Sequence, residues 1–176
     1  MTCYEVMWDC KRRSIDVNSL FPGYPIHSIT NGVHAVTWAA PSFQTLYDRY
    51  LPDWRHDQLS LRYAISIPAQ EIWDAHMVAK GALVDYVNRE TNVGFDRDAL
   101  TIGFARRAAA YKRGTLIFHD IERLATIARQ VGPLQIVFGG KAHPRDQDGK
   151  KLIHRIHELR DAFRGRIMVA YLPIMT

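Results

Sequence analysis

Between Leu100 and Leu172 the sequence alternates short apolar runs with longer segments of helical periodicity, and that order leaves few folds open. Leu100 to Ala105 reads as a strand. Ile117, Ile121, Leu124 and Ala128 then recur at the spacing of one helix face and predict the inner stripe of a helix. A second apolar run, residues 134–138, leads into Gly139 and Gly140. A second helical stripe follows, with Leu152, Ile156, Leu159 and Phe163 on one face, and residues 166–172 form a third strand. Strand, helix, strand, helix, strand predicts an α/β fold, a parallel sheet with covering helices joined by right-handed crossovers.

Upstream the texture differs. Residues 1–37 are rich in turn formers (Asn18, Pro22, Gly23, Pro25, Asn31, Gly32) and predict loops around short extended pieces. Leu46, Tyr47 and Tyr50 suggest a short helix beginning at Pro41, and a loop with Pro52 and Trp54 follows. A longer helix starts around Pro68 and Glu71. It carries Ile72, Ala75, Ala79, Leu83, Tyr86 and Val87 at helical spacing and ends at Asn92 and Gly94. The change of texture near residue 97 predicts a domain boundary, with residues 1–97 on one side and 98–176 on the other. Internal repeats and low-complexity tracts are absent.

With 47% apolar and 23% charged residues in 176 positions, the composition is that of a globular protein with a core. No apolar run approaches the roughly 20 residues of a membrane span. Asp9, Lys11, Arg12, Arg13 and Asp16 interrupt the first 20 positions, so no signal peptide is read there and a cytoplasmic location is expected. Cys3 and Cys10 make neither a metal pattern nor a disulfide framework, and no metal site is expected.

In a parallel α/β sheet ligands bind at the carboxyl ends of the strands, so the residues just after each strand are the ones to inspect. After the first come Arg106, Arg107, Tyr111, Lys112 and Arg113, part of a net charge of +5. A guanidinium grips two phosphate oxygens in a fork and a lysine adds a compact charge, so Arg107 with Lys112 makes a phosphoryl clamp. After the second come Gly139, Gly140, Lys141, Ala142 and His143, where two glycines allow close backbone approach and exposed amides. Each signal has a plainer reading: a solvated helix start, a tight turn, and for His143 a structural loop residue.

Three segments resemble motifs of the α-glucan phosphorylases, closest to the shorter bacterial type. They are Ile29-Thr30-Asn31-Gly32-Val33-His34 followed by Thr37-Trp38, Gly103-Phe104-Ala105-Arg106-Arg107 through Tyr111-Lys112-Arg113, and Phe138-Gly139-Gly140-Lys141-Ala142. Ile72-Trp73-Asp74-Ala75-His76, between them, is also similar. The resemblance covers roughly residues 20 to 173, a central slice of a longer enzyme.

The resemblance implies a glycosyltransferase B-type fold, two Rossmann-like domains facing a cleft. Residues before about 97 would end the amino-terminal domain and the rest would begin the second. It implies pyridoxal phosphate as cofactor and transfer of a terminal glucose of an α-1,4-glucan, such as glycogen or maltodextrin, onto inorganic phosphate to give glucose 1-phosphate. By resemblance Arg107 and Lys112 hold the substrate phosphate, and Arg106 faces the cofactor phosphate with Tyr111 beside it. Gly139, Gly140 and Lys141 line the cleft near the cofactor. Asn31 and Gly32 reach the glucose site, with His27 or His34 as its histidine. A homo-oligomeric full-length enzyme is compatible with the resemblance; a nucleic-acid or membrane partner is not expected.

Two departures accompany the match. The Ser-Gly-Thr and Met-Lys segment that carries the family's Schiff-base lysine has no counterpart before Thr176, so no lysine here is nominated for that bond and this stretch alone is expected to be inactive. One extra residue separates His27 from Asn31 relative to the family pattern, which favours neither His27 nor His34. Two other readings compete with this one. A glycogen-synthase-type nucleotide-sugar glycosyltransferase shares the fold, but the Tyr111-Lys112-Arg113 spacing and the Gly-Gly-Lys-Ala run favour phosphorylase. An inactive remnant that binds phosphate or nucleic acid would use the same basic cluster without interleaved aromatics.

Overall fold

The computed structural model describes residues 32–163, 165 and 167–173. Its contacts divide the chain into two compact units, Met1–Trp38 and Ala39–Thr176. In the first, the described part holds a single helical turn, α1 (Ala35–Trp38), where loops and extended pieces were expected. Everything below concerns the second.

Two helices open it. α2 (Pro41–Tyr50) starts with proline at the position where its missing N–H costs nothing. α3 runs from Ala69 to Thr91. Ser42 Oγ donates to Ala75 O at 2.7 Å and Tyr50 Oη to Glu71 Oε1, so α2 is pinned at both ends to the first two turns of α3. The fully buried Trp54 closes the α2 end, with its indole N–H on Asp48 Oδ1 at 2.9 Å. Residues 58–66 form a 3₁₀ helix where no element was expected.

The sheet has three parallel strands, β1 (Leu100–Ala105), β2 (Leu134–Gly139) and β3 (Ile167–Leu172), in the order β1-β2-β3. The crossovers are α4 (Ile121–Val131) and α5 (Gln147–Ala162), capped by Asp120 and Asp146, whose carboxylates accept from Arg123 N and Gly149 N at 2.9 Å. The central strand is buried at every position, as a strand covered on both faces must be. Leu134, Ile136 and Phe138 join Phe118, Leu124, Ala128, Ile156 and Leu159 on the α4/α5 side. Val137 joins Val84, Val87, Phe95, Ala170 and Leu172 on the α3 side.

The buried row of α3 is Ala75, Gly81, Val84 and Val87; Ile72, Leu83 and Tyr86 of the expected stripe are each more than a third exposed. The reason is the edge position of β1. Its Leu100 and Ile102 are themselves exposed, and Trp73 and Leu83 border an open groove of about 700 Å³ beside it instead of a packed core. Of the stripe expected before β2, Leu124 and Ala128 are buried and Ile121 is exposed at the first turn of α4, while Ile117 lies outside that helix, on a 3₁₀ turn over Leu116–Phe118, and packs on the core from there.

Among the described residues, one polar side chain sits in the core. Gln135, with no exposed surface, accepts from Asp96 N at 2.6 Å and donates to Asp96 O and Thr101 Oγ1, each at 2.9 Å. Its amide takes the place of a strand neighbour for the segment entering β1. Asn88 does the same one turn earlier, holding Phe95 N at 2.6 Å and Phe95 O at 2.8 Å. Between them the route from α3 into the sheet is fixed.

Candidate functional site

The register aligns the carboxyl ends of all three strands, with Ala105 opposite Gly139 and Gly139 opposite Leu172. The hydrogen bonding continues past those ends. Arg106 N donates to Gly139 O at 3.0 Å, Ala108 N to Lys141 O at 3.2 Å, and Gly140 N to Leu172 O at 3.1 Å. The loops after β1 and β2 therefore run side by side as an extension of the ladder, which brings Arg106 and Arg107 alongside Gly140 and Lys141.

The remaining basic residues follow from the turn that ends this extension. Ala110–Lys112 form a 3₁₀ turn, and Arg113 adopts a left-handed conformation at φ 54°. Gly114 fits against the Phe104 ring, where an added Cβ would lie 3.3 Å away. Lys112, half-buried, sets its ammonium 4.7 Å from the centre of the exposed Tyr111 ring. Arg106, Arg107 and Arg113 are exposed and form no ion pair among the described residues. Elsewhere several arginines are matched, among them Arg55 with Asp48 and Arg97 with Asp85, pairs that pull both carboxyls below their ordinary value. Unmatched cations gathered at aligned strand ends are suited to an anion.

Gly140 N–H is taken up by Leu172 O, its carbonyl accepts from Tyr171 Oη at 2.7 Å, and its φ of +146° is one that side chains rarely adopt. A Cβ there would stand 2.1 Å from Arg106 O. The close approach that requires glycine is by the neighbouring loop, and the Gly140 amide is not offered to a ligand. Tyr171, whose hydroxyl burial pushes up from its ordinary pKa, stays a donor at neutral pH. It was not singled out in the sequence; a polar-tipped aromatic in an apolar strand next to a strand-end loop is the signal that could have marked it.

His143 behaves as a loop residue, its Nδ1 accepting from Arg145 N at 3.2 Å. A groove of about 500 Å³ between residues 115–119 and α5 takes only Arg113 from the cluster. In the first unit Gly32 and His34 are exposed, with His34 Nδ1 2.7 Å from Thr37 Oγ1. His27 and Asn31 lie outside the described residues. Among the described residues no helix is long and apolar enough to cross a membrane.

No protein-family model matches the chain. Among curated proteins it is 40% identical over 164 residues to the maltodextrin phosphorylase of Thermococcus litoralis, covering 82% of this chain and 20% of that one. It is 41% identical over 167 residues to a glycogen phosphorylase of Aquifex aeolicus (81% and 24%), and 32% identical over 181 residues to one of Mycobacterium tuberculosis (89% and 21%). The chain thus spans between a fifth and a quarter of the length of these relatives. The parallel sheet with covering helices and the extent of identity agree: the chain belongs to the maltodextrin and glycogen phosphorylase family, as a segment of it.

Proposed function

We propose that this chain supplies the phosphate-holding wall of an α-glucan phosphorylase, an enzyme that transfers the terminal glucose of an α-1,4-glucan to inorganic phosphate to give glucose 1-phosphate. The observation that carries this is the lacing of the loops after β1 and β2, which sets Arg106 and Arg107 beside Lys141 with no carboxylate paired to either arginine among the described residues. Arg107 is assigned the fork on the substrate phosphate and Lys112 the second charge, with Tyr111 packed against the Lys112 ammonium. Two unit charges 4 Å apart near a protein surface interact by about 4 kcal/mol. A phosphate dianion held between two cations gains that attraction from each, set against the cost of its desolvation. In the same reading residues 1–97 end the first Rossmann-like domain and 98–176 begin the second. Asn31, Gly32 and His34 are assigned to the glucose on the resemblance alone, and the expected location is the cytoplasm.

The donor chemistry also suits the phosphate of pyridoxal phosphate. Arg106 carries an unpaired guanidinium one residue from Arg107, and Lys141 stands across the ladder from Ala108. When bound, that cofactor supplies a phosphate able to exchange a proton with the substrate phosphate. The chain's own task is to let two anions sit close together, which cations between them make affordable. Arg106 and Lys141 would hold the cofactor side and Arg107 and Lys112 the substrate side, while Gly139 and Gly140 give the loop its shape. No lysine of this chain is assigned the covalent bond.

In an active polypeptide containing this chain, Arg107→Ala is expected to raise the phosphate KM by roughly ten- to a hundredfold, the loss of one charge-assisted hydrogen-bonded contact. It should lower kcat and leave the glucan KM within about twofold. Initial rates against phosphate at fixed maltodextrin measure this, and an unchanged phosphate dependence would refute the assignment.

A further inference from the structure

We infer that Gly149 is a positioning residue for the anion site, acting with Gly140 to grip the Arg106–Arg107–Ala108 backbone from two sides; the inference rests on the phosphate reading above. Gly149 lies in the first turn of α5, where glycine is a poor helix former and alanine is ordinarily preferred. The surroundings explain the exception. A Cβ at Gly149 would stand 2.4 Å from Ala108 O and 3.0 Å from Ala142 Cβ. The α5 backbone therefore presses directly on the carbonyl that follows Arg107. On the other side, Gly140 presses on Arg106 O, the carbonyl that precedes Arg107, at 2.1 Å from where its own Cβ would be.

The peptide group before Arg107 is thus fixed by backbone contact at Arg106 O, and the one after it by the Ala108 N bond into the β2 loop, while the Gly149 contact at Ala108 O and the Arg106 N bond hold the next peptide group on either side. Tyr171 Oη on Gly140 O holds the gripping loop itself. An exposed arginine normally loses much freedom when it binds. With its backbone already immobile, only side-chain rotation remains to be lost, which preserves affinity for the anion.

The test uses inorganic phosphate and this chain, followed by ¹⁵N amide shifts at low salt. Gly149→Ala should weaken phosphate binding roughly tenfold, about one displaced charge-assisted contact. Tyr171→Phe, which adds no atom and keeps the fold, should weaken it about threefold. Gly81→Ala is the control: it lies in α3, where a Cβ would meet only the Arg97 side chain at 3.8 Å, and it should leave phosphate binding unchanged. If Arg107→Ala weakens binding while Gly149→Ala and Tyr171→Phe bind like wild type, the grip is overturned and the phosphate reading stands. If Arg107→Ala has no effect, the phosphate reading fails. The grip is then judged alone by hydrogen exchange without phosphate: protected Arg106 and Ala108 amides support it, and amides exchanging like those of a free loop overturn it.

Discussion

Gln135→Leu tests whether the buried amide of the central strand holds the entry to the sheet. The side chain makes three hydrogen bonds, to Asp96 N at 2.6 Å, Asp96 O at 2.9 Å and Thr101 Oγ1 at 2.9 Å. Each contributes about 1 kcal/mol net, and unmatched partners cost more where water cannot reach them. Asp96 is exposed, so its backbone recovers hydration in the variant, and Thr101 keeps its bond to Ala99 O at 3.1 Å. The loss is then about 3 kcal/mol, offset by about 1 kcal/mol for an apolar side chain of similar size in a fully buried position. The net is about 2 kcal/mol. With a urea slope of about 2 kcal/mol/M, the midpoint should fall by about 1 M in a melt followed by far-ultraviolet circular dichroism. Thr101→Val removes one of the three bonds and should shift it by less than half as much. A Gln135→Leu midpoint within about 0.2 M of wild type would refute the reasoning, because it would mean that the strand entry is held by packing alone.

Asp48, whose carboxyl is held at about 2 rather than 3.8 by hydrogen bonds from Arg55 and then Trp54, has a depressed folded-state value. Its contribution is fully present above pH 3.8 and is lost as pH falls toward 2. A carboxyl ¹³C titration should show this low midpoint, and Arg55→Ala should move it up; an unmoved midpoint would remove the guanidinium as the cause. Asp120→Ala should cost about 1 kcal/mol in a urea melt by stripping the α4 cap on Arg123 N, with Asp120→Asn recovering most of it.

The sheet was legible because each strand is a short apolar run bounded by turn residues, and its helices because Leu124 and Ala128, or Ile156 and Leu159, can face only one way. The α3 face was legible in part, with Ala75 and Val87 buried as expected and Ile72, Leu83 and Tyr86 exposed, for a physical reason. Helical spacing marks Ile72, Leu83 and Tyr86 as a row, but which row meets the sheet depends on β1 being an edge, and that is a property of topology. The 3₁₀ helix at 58–66 is set by the Asp57 cap on Leu59 N, a local event without periodicity. At the site, the cations at 106, 107, 112 and 113 were legible because charge after a strand is a local pattern. Gly149 and Tyr171 were not, since each acts on a backbone carbonyl far away in sequence.

The difference between those two sets of residues says how such a site is built. Cations that bind a phosphate must remain unpaired, which leaves them exposed and free to move, and self-repulsion pushes neighbours such as Arg106 and Arg107 apart. Among the described residues nothing orders the Arg106 and Arg107 side chains before the anion arrives, whereas Lys112 rests on the Tyr111 ring. Order has to come from the backbone, and here the ladder continues past the strands as far as Ala108 and Lys141 while glycines at 140 and 149 let other backbone close on the carbonyls at 106 and 108. Charge and rigidity are thus supplied by different residues. A substitution at a charge should change affinity for phosphate and its salt dependence together. One at Gly149 or Tyr171 should change affinity while leaving the salt dependence as it was, because the number of cations facing the anion is the same.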